Sequence, residues 1–339
     1  MLTVQARNVN HALYHGTNLI VTYGNHVSSR GLDTIEACEP VTTTYERPCE
    51  RVLALKLRDA NPFFHFMEGL WIIAQRNDVG FLTQFNKRMM EYSDNGHTLH
   101  GAYGWRMRNQ IHRIIQLLKE KPDTRQAVLQ IWDYKQDLGV LSKDIPCNDL
   151  IFLKIRDGRL NMTVCNRSND MIWGCYGANA VHFSMLQEYI AAMVGVEVGV
   201  YNQVSDSFHV YPDNPAWGKI AEHYYHNHIV DDPYEYGIRP WPMVSDPDSF
   251  DMELQAFLAF PANDCSQFNN NIFPLVAQPM YMAWNKHKIS KNGAAFAAGI
   301  VADDWRLACL EWLERRGDTI DKKYWGFNNN QLFIREAAP

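Results

Sequence analysis

The run Leu150-Ile151-Phe152-Leu153-Lys154-Ile155, the pair Asp157-Gly158 and the run Leu160-Asn161-Met162-Thr163-Val164 read together as a β-hairpin. Both runs have strand composition, and Asp-Gly suits a tight turn in which both central residues need a positive φ. The hairpin puts Cys147 just ahead of the first strand and Arg167-Ser168 just beyond the second, so the turn can bring them to one end of a sheet. A thiol is a nucleophile only as thiolate, and a nearby guanidinium lowers its pKa. Arg167 therefore has two candidate jobs, binding an anion and holding Cys147 ionised. The alternative for Cys147 is a buried thiol that packs as a small hydrophobe.

Downstream of the hairpin, Ala178 to Val194 reads as a helix, with His182, Phe183, Leu186, Tyr189, Ile190 and Met193 on one side. Asn179 stands at its start, where an amide is ordinarily a cap. Upstream, Ile111 to Leu118 reads as a helix, and Lys121-Pro122-Asp123-Thr124-Arg125 as a turn into a strand over Ala127 to Trp132. From Asn61 the apolar spacing turns helical again, with Pro62 at the first helical position and Glu68 inside the apolar run. A carboxylate there is costly unless it is hydrogen-bonded or placed to handle protons. Further back, Leu19-Ile20-Val21-Thr22-Tyr23 has strand composition and leads into a polar turn from Gly24 to Gly31 that carries Arg30. Towards the C-terminus, 249–271 reads as a loop, and Asp303 as the cap of an amphipathic helix ending at Gly317.

A chain of 339 residues, 46% apolar, can bury a large core in one or two domains, and one is the expectation. No apolar run reaches about 18 residues and the N-terminus lacks signal-peptide features, so a cytoplasmic protein without a membrane span is expected. The seven cysteines include no Cys-x-x-Cys pair, which points to reduced thiols with neither a disulfide framework nor a metal site. A net charge of −6 argues against a general nucleic-acid surface, because phosphate binding needs a basic stripe.

Pro146-Cys147, Arg167-Ser168-Asn169-Asp170, Asn179 and His209-Val210-Tyr211 follow one another in the order and near the spacing of a known family. Similarity extends upstream through Arg30-Gly31, Glu68-Gly69-Leu70-Trp71, Tyr103-Gly104 and Asp123-Thr124-Arg125. On these motifs the chain, over roughly residues 15 to 215, resembles the thymidylate synthase superfamily, whose members alkylate C5 of pyrimidine nucleotides. The resemblance implies an α/β (α+β) fold, a single domain over 1–339 with a large mixed sheet under covering helices. It also implies a homodimer formed through sheet faces, with Arg125 donated across the interface. The substrates implied are a deoxypyrimidine monophosphate and 5,10-methylenetetrahydrofolate.

By the same resemblance, Cys147 adds to C6 of the pyrimidine, which activates C5 for attack on the folate-borne methylene. Glu68 relays protons as a general acid/base, Tyr103 helps remove the C5 proton, and Asn179 contacts O4 and N3-H. Arg30, Arg125, Arg167 and Ser168 hold the phosphate, and His209 and Tyr211 the deoxyribose hydroxyl. Asp170 contacts the pterin; its alternative is a solvated loop acid.

Departures from the family pattern shape the expected product. Met89 and Tyr92 stand where the family has two tryptophans beside folate and pyrimidine, and are the cofactor-side positions here. Gln126 replaces a second arginine, and Asn148 a histidine; the loop before Asn179 is one residue longer, and without that insertion Ala178 would take the amide's place. The terminal Phe333 to Pro339 does not resemble the family's closing tail. Because hydride transfer needs a dry, closed site, these changes favour attack by water and a hydroxymethyl product from dUMP. The alternatives are thymidylate synthase itself, a dCMP hydroxymethylase, and a non-catalytic relative that binds nucleotide or RNA.

Overall fold

The computed structural model describes residues 1–29 and 31–325; Arg30 and the tail from Phe333 to Pro339, both given weight above, lie outside the described residues. The chain packs as two compact units, one of 1–60 with 64–230 and the other of 61–63 with the described residues from 231 onward.

The first unit is organised by an eight-stranded mixed sheet. In chain order its elements are β1 (Leu2–Ala6), α1 (Val9–Tyr23), β2 (Gly24–Ser29), β3 (Leu32–Ala37), β4 (Val41–Tyr45), α2 (Pro62–Ile73), α3 (Ile111–Glu120) and β5 (Val128–Gln130). They continue with β6 (Asn148–Arg156), β7 (Arg159–Asp170), α4 (Asn179–Val194), β8 (Glu197–Val210) and α5 (Trp217–Asn227). The strand order is β1-β4-β8-β7-β6-β5, with the β2–β3 hairpin attached at the far end of β8 through Ile35↔Val210 and Glu36↔His209. β7 and β8 run parallel, whereas β6 is antiparallel to both of its neighbours, β5 and β7.

The β6–β7 hairpin closes at Asp157 (φ 51°) and Gly158 (φ 71°), the two positive φ angles that a right-twisted two-residue turn requires. β7 runs on through Asp170, so Arg167 and Ser168 lie within the strand rather than beyond it, still paired with the chain around Cys147. Alternation along the strands puts Ile151, Leu153, Met162, Val164 and Tyr201 into the core, while Val128, Phe152 and Lys154 sit exposed on the other face.

The run Leu19 to Tyr23 is not a strand but the last turn of α1. Asn8 caps that helix by accepting from the amides of Asn10 and His11, and Val9, Ala12, Leu13, Leu19 and Ile20 bury its inner face. Burial at helical spacing outweighs the weak β preference of five residues. The polar stretch that follows is a β-hairpin, not a simple turn.

The second unit is helical over its described length, with α6 (Pro247–Ala259), α7 (Gln278–Ser290) and α8 (Asp303–Arg315). α6 corrects the loop expected over 249–271: Asp246 caps it, Pro247 opens it, and Phe250, Leu254, Phe257 and Leu258 bury one face. Asp303 is a first-turn residue of α8 rather than its cap, which is Ala302. Rings of Phe63, Trp284, His287 and Trp312 form one aromatic cluster of this unit. No described helix is long and apolar enough to cross a membrane.

Candidate active site

The sheet delivers its chemistry at the end where β6 begins and β7 and β8 finish. The Arg167 amide donates to the Cys147 carbonyl at 3.0 Å, and this rung sets their side chains side by side. Arg167 Nη2 lies 3.8 Å from Cys147 Sγ. The guanidinium is held by the carbonyls of Pro146 (2.8 Å, from Nε) and Ile145 (3.1 Å, from Nη2) and stacks 5.4 Å over the ring of Trp132. A cation so fixed favours thiolate at Cys147 without a side-chain search. Asn148 turns inward, fully buried, and donates to Asn166 on β7, so its amide serves the sheet.

Glu68 faces this end from α2. Burial, reinforced by Asp144, raises its carboxyl pKa to about 8, so it is a neutral acid at pH 7. Its Oε2 lies 3.2 Å from Nε2 of His182 on α4, and burial lowers that imidazole to about 3. Tyr103 stands among Cys147, Asp144, Glu68 and Arg167; burial first, then the neighbouring anions, pushes its phenol far above the usual range, so it is a proton donor rather than a phenolate. Its ring stacks on Phe183 at 5.7 Å.

Asn179 does not cap α4. It is the first helical residue, and its Nδ2 donates to Asn169 Oδ1 at 3.1 Å; Asn169 in turn donates to Gln203 (3.1 Å) and Ser205 (3.0 Å) on β8. The longer loop before it forms a π-type turn over Met171–Ala178, kinked at Tyr176 and Gly177, and an extra residue taken up in such a turn leaves the following helix in place. Asn179 therefore carries its amide into a buried polar network, and Ala178 offers no polar group at that point.

Asp170 is no solvated loop acid. It ends β7, and its Oδ1 accepts from the amides of Ile172 (2.6 Å) and Trp173 (2.8 Å), while Oδ2 is buried with no hydrogen bond to a described residue. Burial raises its pKa against the pull of those amides, His209 and Arg58. On β8, His209 pairs in register with Asp170, Ser207 Oγ lies 3.2 Å from His209 Nδ1, and Tyr211 meets the His209 ring edge-on at 5.3 Å. Ser168 pairs in register with Ser207 and is half-buried.

Three expected site residues do not join this cluster in one chain. Arg125 precedes β5, which pairs with Leu150 to Phe152, and the Leu153 amide reaches back to Ala127. Six residues of strand separate that point from Cys147, roughly 20 Å, and Arg125 is exposed. Met89 and Tyr92 lie on a short helix (Met89–Tyr92), Tyr92 exposed, with no described contact to the thiol or the acid.

Sequence reading missed His182, Asn169, Gln203 and Arg58 as site residues. Asn169 stood inside a quoted motif, and His182 follows Asn179 by three residues, one helical turn. For Arg58 no local signal exists. The residue is 1% exposed, its guanidinium stacks 5.1 Å over Trp173, and Nε and Nη2 have no hydrogen-bond partner among the described residues; burial lowers its pKa to about 10.

A mixed sheet that presents a thiol to a fixed guanidinium beside a neutral carboxylic acid is equipment for covalent addition to a polarised ring, the class of nucleophilic transferases. The family described as thymidylate synthase matches residues 16–231. A Pseudomonas phage M6 protein named deoxyuridylate hydroxymethyltransferase is 46% identical over 93% of this chain and 95% of its own length. Proteins of the same name from Bacillus phage SP01 and Delftia phage PhiW-14 are 36% and 35% identical, over 76% and 48% of this chain and 70% and 50% of their own. The chain belongs to the thymidylate synthase family. It is a one-carbon transferase with the α/β fold that the resemblance implied, and membership implies a folate co-substrate and a deoxyuridylate-type nucleotide.

Proposed function

We propose that this protein hydroxymethylates dUMP, taking the one-carbon unit from 5,10-methylenetetrahydrofolate and releasing 5-hydroxymethyl-dUMP. The observation that carries the reading is the Cys147–Arg167 pair, with Sγ and Nη2 3.8 Å apart, set beside the neutral acid Glu68. Folate supplies a methylene at the oxidation level of formaldehyde; this chain's residues do the rest. Cys147 adds to C6 of uracil, and the electron density thereby gained at C5 makes it the nucleophile for the methylene. Loss of the C5 proton expels tetrahydrofolate, water adds to the exocyclic methylene left on C5, and departure of the Cys147 thiolate from C6 restores the C5–C6 double bond. Glu68 protonates the developing enolate at O4, and Tyr103 steers water for removal of the C5 proton. Asn179, an amide with a donor and an acceptor, suits O4 and N3-H of uracil.

Arg167, Ser168 and Arg30 hold the phosphate by charge-assisted hydrogen bonds, and His209 and Tyr211 the sugar hydroxyl. On the folate side, the unpartnered Oδ2 of Asp170 is an acceptor suited to a pterin N–H, with Met89 and Tyr92 as the outer wall. The remote position of Arg125 and the exposed apolar residues Val128 and Phe152 support a homodimer through the sheet face that donates Arg125 to the partner's phosphate site. The match of one relative to 93% of this chain, well past residue 231, supports a single functional domain in which both units take part. The reading also includes a cytoplasmic setting and no role for nucleic acid.

The test is turnover of the purified protein with methylenetetrahydrofolate and either dUMP or dCMP, followed by product mass and dihydrofolate absorbance. The expected result is a gain of CH2O on dUMP without dihydrofolate. A gain of CH2 with stoichiometric dihydrofolate would mean thymidylate synthase, and preference for dCMP would move the base assignment of Asn179.

A further inference from the structure

We infer that His182 is a positioning residue for this reaction: its neutral imidazole accepts from Oε2–H of Glu68 and so keeps the acid protonated and oriented until O4 of the substrate takes that proton. The inference rests on the role of Glu68 in the proposed function and adds a residue that no sequence motif singled out. Nε2 of His182 is 3.2 Å from Glu68 Oε2, yet makes no hydrogen bond of full geometry to any described residue. The other ring nitrogen is accounted for, since the imidazole bonds to the His65 backbone in a way that favours its charged form, as a carbonyl acceptor does. A proton on Nδ1 leaves a lone pair on Nε2. An ionised pair at this depth would carry the desolvation cost of two charges, so the neutral O–H···N arrangement is favoured. It also defines which carboxyl oxygen holds the proton.

The packing makes this contact a built feature. One residue after Glu68, a Cβ on Gly69 would come within 2.4 Å of Met185 Sδ, so the Met185 side chain packs directly over the glycine and would have to shift for any larger residue. Met185 is three residues beyond His182, hence on the same face of α4, and His65 is three before Glu68 on α2. The His65 ring meets His182 edge-on at 6.2 Å. Other titratable or charged groups facing the pair are Asp144 and Tyr103 on the Glu68 side, and His65, with Arg58 beyond it, on the His182 side.

Two substitutions separate positioning from structure. His182→Asn keeps a donor for the His65 carbonyl and removes the acceptor facing Glu68; His182→Gln can return an amide oxygen to that place. With the full chain and dUMP, His182→Asn is expected to lower kcat about tenfold or more while KM changes less than about threefold. Losing a hydrogen bond to the neutral acid lowers its pKa, so the alkaline limb of the rate profile moves to lower pH. His182→Gln is expected to recover most of the rate and the limb. Equal losses in both variants with an unmoved limb and native circular dichroism would overturn the inference, as would full activity in His182→Asn.

An infrared band of the protonated Glu68 carboxyl, assigned by Glu68→Gln, gives a readout independent of turnover. It should vanish at lower pH in His182→Asn than in the native protein; an unchanged titration would also overturn the inference. Product mass from the native protein decides the hydroxymethyl reading separately, because the His182 comparison applies to a CH2 product as well as to CH2O.

Discussion

Two acids in the first unit, Asp137 fully buried and Glu68 with its side chain 14% exposed, show how one side chain type serves two ends. Asp137 has both oxygens engaged, by Arg106 (2.7 and 3.2 Å), by the His100 imidazole (2.8 Å) and by the Asp133 amide (2.8 Å). Glu68 has a single described polar contact, a neutral histidine at 3.2 Å, with no cation to offset its burial. The first is a carboxylate locked into the loops around 100 and 133–137. The second is an acid kept neutral first by burial and then by the nearby Asp144, with no counter-charge against it among the described residues, which is the state from which a proton can be given and recovered near neutral pH. Saturation of partners marks the structural acid, and shortage of them the chemical one.

The strongest way to sharpen this contrast is at the nucleophile. Cys147→Ala is expected to lower turnover by about 10⁴-fold or more, with dUMP affinity measured by calorimetry changed far less. Next, Glu68→Gln is expected to cost about 10²- to 10⁴-fold in kcat with no loss in the urea midpoint, because it removes a desolvated acid and strands no partner. Asp137→Asn should behave in the opposite way. It leaves Arg106 buried without its counter-charge, and is expected to cost about 3–5 kcal/mol in urea unfolding while molecules that remain folded retain their turnover. If Asp137→Asn proved neutral to stability and Glu68→Gln did not, the division of roles would be reversed.

Smaller effects follow. Asn179→Asp exchanges an amide for a group that accepts from cytosine, and is expected to change the dCMP to dUMP ratio of kcat/KM by about tenfold in favour of dCMP. Stability should carry the signature of Glu68 as well. Its folded pKa of about 8 lies above its ordinary value of 4.5, so the native state binds the extra proton between the two. Stability contributed by this proton is complete below the unfolded pKa and is lost as pH rises through about 8. Urea titrations of Glu68→Gln should show a flatter decline across that window than the native protein.

Much of the site was legible because its chemistry is carried by short motifs on one hairpin. Asp157-Gly158 dictates the turn, the turn sets the register as far as Leu150↔Cys165, and an irregularity between Asn148 and Leu150 then shifts it by one residue and brings Arg167 beside Cys147. Only the structure decided against the ordinary alternatives for Asn179 and Asp170, a cap and a solvated loop acid, since neither hydrogen-bond partners nor burial can be read from one position. Leu19 to Tyr23 was misread because five β-branched and apolar residues fit either a strand or a buried helix end, and the deciding partner, the inner face from Val9 onward, lies outside that window. The segment 249–271 did carry its signal, Asp246 before Pro247, but the Pro- and Asn-rich residues downstream outweighed it.

Local sequence, through turn chemistry, alternation and motif order, was sufficient for the hairpin and for membership of the family, while the rung that joins Cys147 to Arg167 also needed the register shift between Asn148 and Leu150. Tertiary structure alone decided that Glu68 meets His182, that the Met185 side chain packs over Gly69, and that Arg125 stands at the far end of the sheet from its own Cys147. The physical reason is range. Turn and strand preferences act over a few residues, whereas the pKa of an acid withdrawn from water depends on every group that packs against it, and around Glu68 those groups come from positions as distant in sequence as 144 and 182.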